Sequence, residues 1–289
     1  MFPAIRDAML NDFECLHDGL QALELSVVEL ELTQDFEVRG LDLPGWISLH
    51  SDAAINNYKV QLETLGVKPC ALLTACDLSE NEPEAAGAWL VRAMAIAEAL
   101  GAGVIRVDPV MKAEGTLLFE ERVERVVKAL SIALEASPDS TVKMGLENHG
   151  FYCNSPVFLG AVLDRFPPER VGLTLDTGNF YWWGFPRSEV YALIEQLAPR
   201  VVYTHVKNIA YPEDKCEEFR ERGWEYGKYW CALHEGSLDM QRIIGILAKA
   251  GYDGALCIEN EAIGTVGNLR AQTQVLQAEL AHLRGCMEK

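Results

Sequence analysis

Nowhere do apolar side chains run for the roughly 18 positions that a membrane span requires. The opening segment, MFPAIRDAML, has Arg6 and Asp7 where a secretory signal would hold its apolar stretch, so a cytoplasmic protein with no membrane partner is expected. None of the eight cysteines forms a C-x-x-C pair, and Cys70 and Cys257 lie inside apolar runs. They read as buried free thiols, which excludes a disulfide framework and argues against a zinc–thiolate site. Basic residues are scarce, 25 Lys and Arg against 43 Asp and Glu, for a net charge of −18. Nucleic-acid backbones are gripped by clustered Lys and Arg, and no such cluster occurs, so neither a nucleic-acid partner nor cleavage of abasic DNA is expected. A small neutral or singly charged ligand fits the charge better. There is no Pro/Gly/Ser-rich linker, which favours one domain over residues 1–289, and no G-x-G-x-x-G after any strand-like run.

What is present is an alternation. Short β-branched runs occur at 3–6, 26–32, 67–74, 103–109, 141–147, 171–176, 200–207 and 254–260. Between and after them, helical periodicity covers about 11–23, 53–65, 82–100, 116–136, 156–165, 187–198, 239–250 and 264–284. Strands alternating with helices imply right-handed βαβ units and a parallel sheet buried on both faces. Eight units are the number that closes a (β/α)8 TIM barrel, and about 250 residues is an ordinary length for one. An open doubly wound sheet is the competitor, disfavoured by the missing glycine fingerprint.

Barrels of this kind carry their chemistry at the C-terminal ends of the strands. Four consecutive runs end in ligand-type side chains: Glu147 in VKMGLE, Asp176 in VGLTLD, His205 in VVYTHVK and Glu259 in ALCIEN. Singly, each has an ordinary explanation. Glu147 could pair with an Arg or Lys, Asp176 could cap a turn, His205 could be a satisfied core histidine, and Glu259 could pair with Lys207. Together, three carboxylates converging without a cation would repel one another. Oxygen donors plus one imidazole suit one hard or borderline divalent cation, Mn²⁺, Mg²⁺ or Co²⁺, with Zn²⁺ also admissible.

The pattern GLENHG…LTLDTGN…YTHVKN…GYDGALCIENE resembles the sugar phosphate isomerase/epimerase group of xylose isomerase-like TIM barrels. That group includes ketose 3-epimerases, inosose dehydratases, hydroxypyruvate isomerases and, more distantly, endonuclease IV. The resemblance implies one divalent metal held by Glu147, Asp176, His205 and Glu259, with Glu147 and Glu259 flanking the substrate as the catalytic proton-transfer pair. It also exposes departures. Where ketose 3-epimerases carry a His three residues after the metal Asp, an Arg six after the metal His and a Glu six after the first metal Glu, this chain has Asn179, Tyr211 and Cys153. The extra histidines of the three-metal endonuclease are missing as well.

Other candidates surround this set. Asn148 and His149 could hydrogen-bond a substrate hydroxyl or Glu147 itself, or only shape the turn into the next helix. Lys207, two residues past His205, points by strand alternation to the same face and could polarise a carbonyl or hold a carboxylate or phosphate, or else form an ion pair with Glu147 or Asp176. Arg106 is a second lumen cation, and Asn179 stands at a substrate position of the family. Aromatics concentrate in NFYWWGFP and in the long segment after the seventh strand, among them Trp182, Trp224 and Tyr226. They suit stacking on a sugar face or a contact between copies in a homo-oligomer. Asp239 reads as a helix N-cap. The reading is a divalent-metal-dependent isomerase or epimerase of a small ketose or related polyol. An inosose dehydratase-type lyase and a non-catalytic sugar-binding barrel are the alternatives.

Overall fold

The computed structural model describes residues 1–78, 82–111 and 116–288. Its strands are β1 (Phe2–Arg6), β2 (Val27–Leu32), β3 (Glu37–Arg39), β4 (Trp46–Ser48), β5 (Lys68–Asp77), β6 (Val104–Asp108), β7 (Lys143–Glu147), β8 (Val171–Asp176), β9 (Val201–Val206) and β10 (Ala255–Ile258). Eight of them close a parallel barrel in the order β1-β10-β9-β8-β7-β6-β5-β2, while β3 and β4 form a separate antiparallel hairpin. The closed barrel expected from the alternation is therefore the architecture, and the open sheet is excluded.

The helices are α1 (Leu16–Ala22), α2 (Asp52–Leu65), α3 (Pro83–Leu100), α4 (Phe119–Ala136), α5 (Pro156–Leu163), α6 (Asn179–Trp183), α7 (Arg187–Leu197), α8 (Met240–Lys249) and α9 (Leu269–Met287). Local chemistry explains several boundaries. Ser51 caps α2 through a bond from Ala54 N, and Gly66 at φ 66° ends it. Asp239 caps α8 by accepting from Arg242 N, as its position suggested. The helix expected over 11–23 is shorter: after a 3₁₀ turn at Asp7–Leu10, residues 11–15 run through turns and bends, and α1 begins only at Leu16. Arg39 of β3 reaches that segment and donates to the carbonyls of Asp7, Leu10 and Phe13, a tertiary contact that helical period cannot show. Among the described residues, no helix is long and apolar enough to cross a membrane. None of the eight cysteines is in a disulfide; Cys15, Cys76, Cys153, Cys216 and Cys257 are buried, while Cys70, Cys231 and Cys286 are only partly so.

Strand alternation sorts the lumen into layers. Ala4, Ala71, Val104, Tyr203, Ala255 and Cys257 pack as one small apolar cluster. Two residues further along the same strands stand Arg6, Arg106, His205 and Glu259. Register aligns these upper positions, with Asp176 opposite His205 and Arg6 opposite Glu29. The apolar layer is thus the floor beneath a charged mouth.

Candidate metal centre and substrate cavity

One ligand-type atom from each of Glu147, Asp176, His205 and Glu259 lies within 4.8 Å of the others, and all four residues are buried. The strand ends singled out in the sequence therefore meet. His205 is central. Its Nδ1 lies 3.2 Å from Glu147 Oε1 and 3.5 Å from Glu259 Oε2, and its Nε2 lies 2.9 Å from Glu29 Oε2.

Each carboxylate is held differently. Glu147 is ion-paired with Arg106, whose other arm meets Asp108 Oδ2 at 2.5 Å. Asp176 Oδ1 accepts bonds of 2.8 Å from the backbone N–H groups of Gly178 and Asn179, which fixes the turn into α6. Asp176 Oδ2 is buried and accepts no hydrogen bond, facing Lys207 Nζ at 3.1 Å. Gly178 is needed here, because a Cβ on it would come 2.8 Å from Lys207 Cγ. Glu259 is ion-paired with Arg6 and lies 3.8 Å from Lys207 Nζ. Lys207 also pairs with Glu261. The ion pairs weighed as ordinary explanations for Glu147, Glu259 and Lys207 do exist, alongside the convergence.

Electrostatics separates these groups. Burial opposes ionisation of Glu147, but Arg106 and then His205 outweigh it and hold the carboxyl well below its usual range. For Glu259 burial is likewise outweighed, by His205, Lys207 and Arg6. Asp176 goes the other way: burial dominates the attraction of Lys207, and the carboxyl is pushed up to about 7. Burial disfavours a charged His205, yet Glu29, Glu259 and Glu147 raise it well above the usual imidazole value.

The donor set fits a divalent cation. Seven carboxylates, Glu29, Glu31, Asp108, Glu147, Asp176, Glu259 and Glu261, belong to the contacts of this network, against Arg6, Arg106, Lys207 and the two raised imidazoles His149 and His205. The excess of negative charge, together with the unbonded Asp176 oxygen, is what a bound cation would neutralise. Two further groups of three meet the same spacing, Glu29–His205–Cys257 below and Asp108–Glu147–His149 beside.

A cavity of about 370 Å³ is lined by Met111, His149, Gly150, Phe151, Asn179, Trp182, Lys207, Tyr226 and Glu261; the four converging residues stay buried behind this lining, linked to it through Lys207. Asn179, Trp182, Lys207, His149 and Tyr226 were expected near the substrate and do line it. Asn179 contributes a buried Nδ2 with no hydrogen-bond partner. Trp182 meets Phe151 and Tyr226 edge-on. Tyr226 donates to Glu261 Oε2 at 2.6 Å. His149 Nδ1 sits 2.8 Å from Asp108 Oδ1; burial opposes its charge, but that bond and Glu147 raise its pKa.

Three expected substrate contacts are placed elsewhere. Asn148 is fully buried, accepts from Asp176 N at 2.8 Å and donates to Asp176 O and Asn154, so it ties β7 to β8. Arg106 lies behind Glu147 and is not part of the cavity lining. Trp224 stacks on Tyr229 at 5.6 Å and also stands outside the lining, because its loop turns it toward its own aromatic neighbours. The departures from the ketose 3-epimerase pattern have structural counterparts: Tyr211 and Cys153 are both buried, Tyr211 beside Tyr181 and Trp224.

The two aromatic segments pack on each other. Arg220 lies 4.4 Å over both Tyr181 and Tyr211 and donates to the carbonyls of Tyr181 and Phe185. Gly184, at φ 112°, leaves no room for a Cβ beside Arg220 O. Asn208 closes the base of the long loop by donating to the carbonyls of Leu233 and Leu238.

Sequence reasoning missed Glu29, Arg6, Asp108 and Glu261. The signal for three of them was alternation: Glu29 lies inside the apolar run VVELEL, Arg6 two residues past Ala4, and Glu261 two past Glu259.

Comparison with solved structures supports the same architecture. A D-tagatose 3-epimerase-like protein superimposes with a TM-score of 0.67 at 16% identity, covering 99% of both chains. The D-allulose 3-epimerase from Methylomonas sp., in complex with D-allulose, gives 0.69 at 15% identity, covering 99% of this chain and 96% of that one. The IOLI protein with a bound zinc atom gives 0.66 at 14% identity, with 99% and 96% covered. At such identities the likeness shows the fold alone. No curated protein matches the sequence. The family profile described as xylose isomerase-like TIM barrel matches residues 20–286, and the chain belongs to that family.

Proposed function

We propose that the chain, working as one unit over residues 1–289, is a divalent-cation-dependent isomerase or epimerase of a small ketose or related polyol. The observation that carries this reading is the convergence of Glu147, Asp176, His205 and Glu259 beside a cavity with aromatic walls. Those four residues would hold the cation. When bound, a divalent cation polarises a carbonyl and its adjacent hydroxyl and so acidifies the C–H between them.

Glu147 and Glu259 would then move the proton. Both are kept ionised by neighbouring cations, so each is ready to accept a proton but is a weak base toward an ordinary C–H. One carboxylate takes the proton to give an enediolate of the substrate, and the other returns it from its own side. Lys207 and Asn179 face the cavity and would meet substrate oxygens, while Trp182, Phe151 and Tyr226 would cover a sugar face and exclude water. Lys207 is matched by Asp176, Glu259 and Glu261, and Arg106 by Glu147 and Asp108. Mouth cations already matched in this way suit an uncharged polyhydroxy substrate better than a phosphorylated one. The D-allulose bound by one structural neighbour is such a compound.

The test is a screen of ketoses and inososes with the Mn²⁺-, Mg²⁺- or Co²⁺-supplemented protein in D₂O, read by product NMR. Deuterium on the carbon next to the carbonyl is expected. An unsaturated or deoxy product would replace the reading with a lyase, and absence of stoichiometric cation uptake would leave a sugar-binding barrel.

A further inference from the structure

We propose that Glu29 is a positioning residue, buried against the Nε2 side of the His205 ring, that fixes the tautomer and orientation of His205. The proposal rests on the cation-binding reading above. Glu29 and His205 are both completely buried. The two carboxylate oxygens of Glu29 stand 3.0 and 2.9 Å from His205 Nε2, and the side chain makes no other hydrogen bond among the described residues.

An ionised carboxylate only accepts, so Nε2 must carry the proton of that bond. Nδ1 faces Glu147 and Glu259 at 3.2 and 3.5 Å; a cation bound among them would displace the proton those carboxylates favour there, and an imidazole that keeps its proton on Nε2 then has its lone pair on Nδ1. The carboxylate thus presents the correct nitrogen on the other side of the ring, as outer partners of metal-bound histidines do. What lies under the ring otherwise gives little guidance: Tyr203 meets it edge-on at 5.8 Å between centroids, and Cys257 offers a weak thiol. Placing a carboxylate in the lumen costs several kcal/mol unless it is matched, and His205 is its match, supported by Arg6 on the neighbouring strand.

The experiment compares the wild-type protein with Glu29→Gln, which keeps an oxygen acceptor, and Glu29→Met, which removes it. Each is stripped of metal, checked by circular dichroism, and titrated with Mn²⁺ and with Zn²⁺ by calorimetry. The ¹⁵N spectrum of the histidine-labelled, Zn²⁺-loaded proteins reports which ring nitrogen is protonated. The wild type should bind one equivalent, with zinc on His205 Nδ1 and a proton on Nε2. Glu29→Met should bind about 10–100-fold more weakly, and Glu29→Gln should recover most of that loss with Nε2 still protonated. Should Glu29→Met not fold, loss of the Nε2 proton in Glu29→Gln would overturn the proposal and its retention would support it. Equal affinity of a folded Glu29→Met, or zinc on Nε2, would overturn it while leaving the cation-binding reading intact. A second equivalent bound by the wild type and lost in Cys257→Ser would overturn it too, making Glu29 and Cys257 ligands themselves. A wild type that binds no cation would remove the functional reading and this inference together.

Discussion

The floor and the mouth of the barrel lumen are built by the same strands two residues apart, yet they obey opposite rules. On β9, Tyr203 belongs to the apolar floor and His205 to the charged mouth; on β10 and the residue after it, Ala255 and Cys257 give way to Glu259. The floor is held by close packing of small side chains around one large ring. The mouth gathers carboxylates that only cations can hold together. Stability and ligand chemistry should therefore separate cleanly along a single strand.

The largest effect expected concerns the mouth. His205→Ala removes the imidazole at the centre of the converging group. It should lower cation affinity by well over the ~10–100-fold that loss of a merely supporting group costs. The barrel should remain folded but melt lower, because buried Glu29 loses its match, as checked by calorimetry beside a thermal melt. A melt that collapses along with binding would show that mouth and floor are not separable.

Next in size is the floor. Tyr203→Ala empties a completely packed site and should cost about 3–5 kcal/mol in urea unfolding, by analogy with other large aromatic truncations. Cation stoichiometry should be unchanged in the folded protein. Glu147→Gln and Glu259→Gln come third, because each keeps size and an oxygen. Cation binding should weaken modestly while turnover of the identified substrate falls by about 10²-fold or more. Normal turnover in both variants would eliminate the paired-glutamate reaction.

The smallest effect sharpens the contrast between carboxylates with and without cations. Glu279 on α9 is buried like Glu147 but bonded to neutral partners, accepting from Leu233 N at 2.7 Å and from Asn260 Nδ2 at 2.9 Å. Burial, opposed only by those bonds, pushes it up to about 7. Its folded value lies above the ordinary 4.5, so between those two values the unfolded chain releases a proton that the folded chain keeps. Folded stability should therefore fall as pH rises through that window. Glu279→Gln keeps the acceptor and removes the titration. Its stability relative to wild type should rise from about pH 4.5 to about 7 and then level off, measured by urea melts across pH. A flat difference would place Glu279 among the cation-matched carboxylates.

Much of this was legible beforehand. The alternation of β-branched and helical segments was read as a closed barrel, and the four ligand-type strand ends stood out because a buried parallel strand has no packing reason to end in Glu, Asp or His. The short hairpin of β3 and β4 was not visible, since three-residue strands carry almost no periodic signal. Nor was α6, whose five residues hold less than two turns. For Asn148 a substrate contact, a bond to Glu147 and a turn-shaping role all stayed open, because adjacency to Glu147 says nothing about which way a residue past the strand end turns. Its amide ties two strands instead.

By itself, then, the sequence determined the eight barrel strands, the parallel order that eight βαβ units impose, and the identity of the residues at four adjacent strand ends, because period and chain order are local properties. Only the tertiary structure decided which charges face one another: Arg106 behind Glu147, Lys207 between Asp176 and Glu261, Glu29 against His205. The partners in these pairs come from different strands and loops, and Glu29 and His205 are 176 residues apart in the chain. Their meeting depends on the stagger of the closed barrel and the turns at its mouth, which no local pattern encodes.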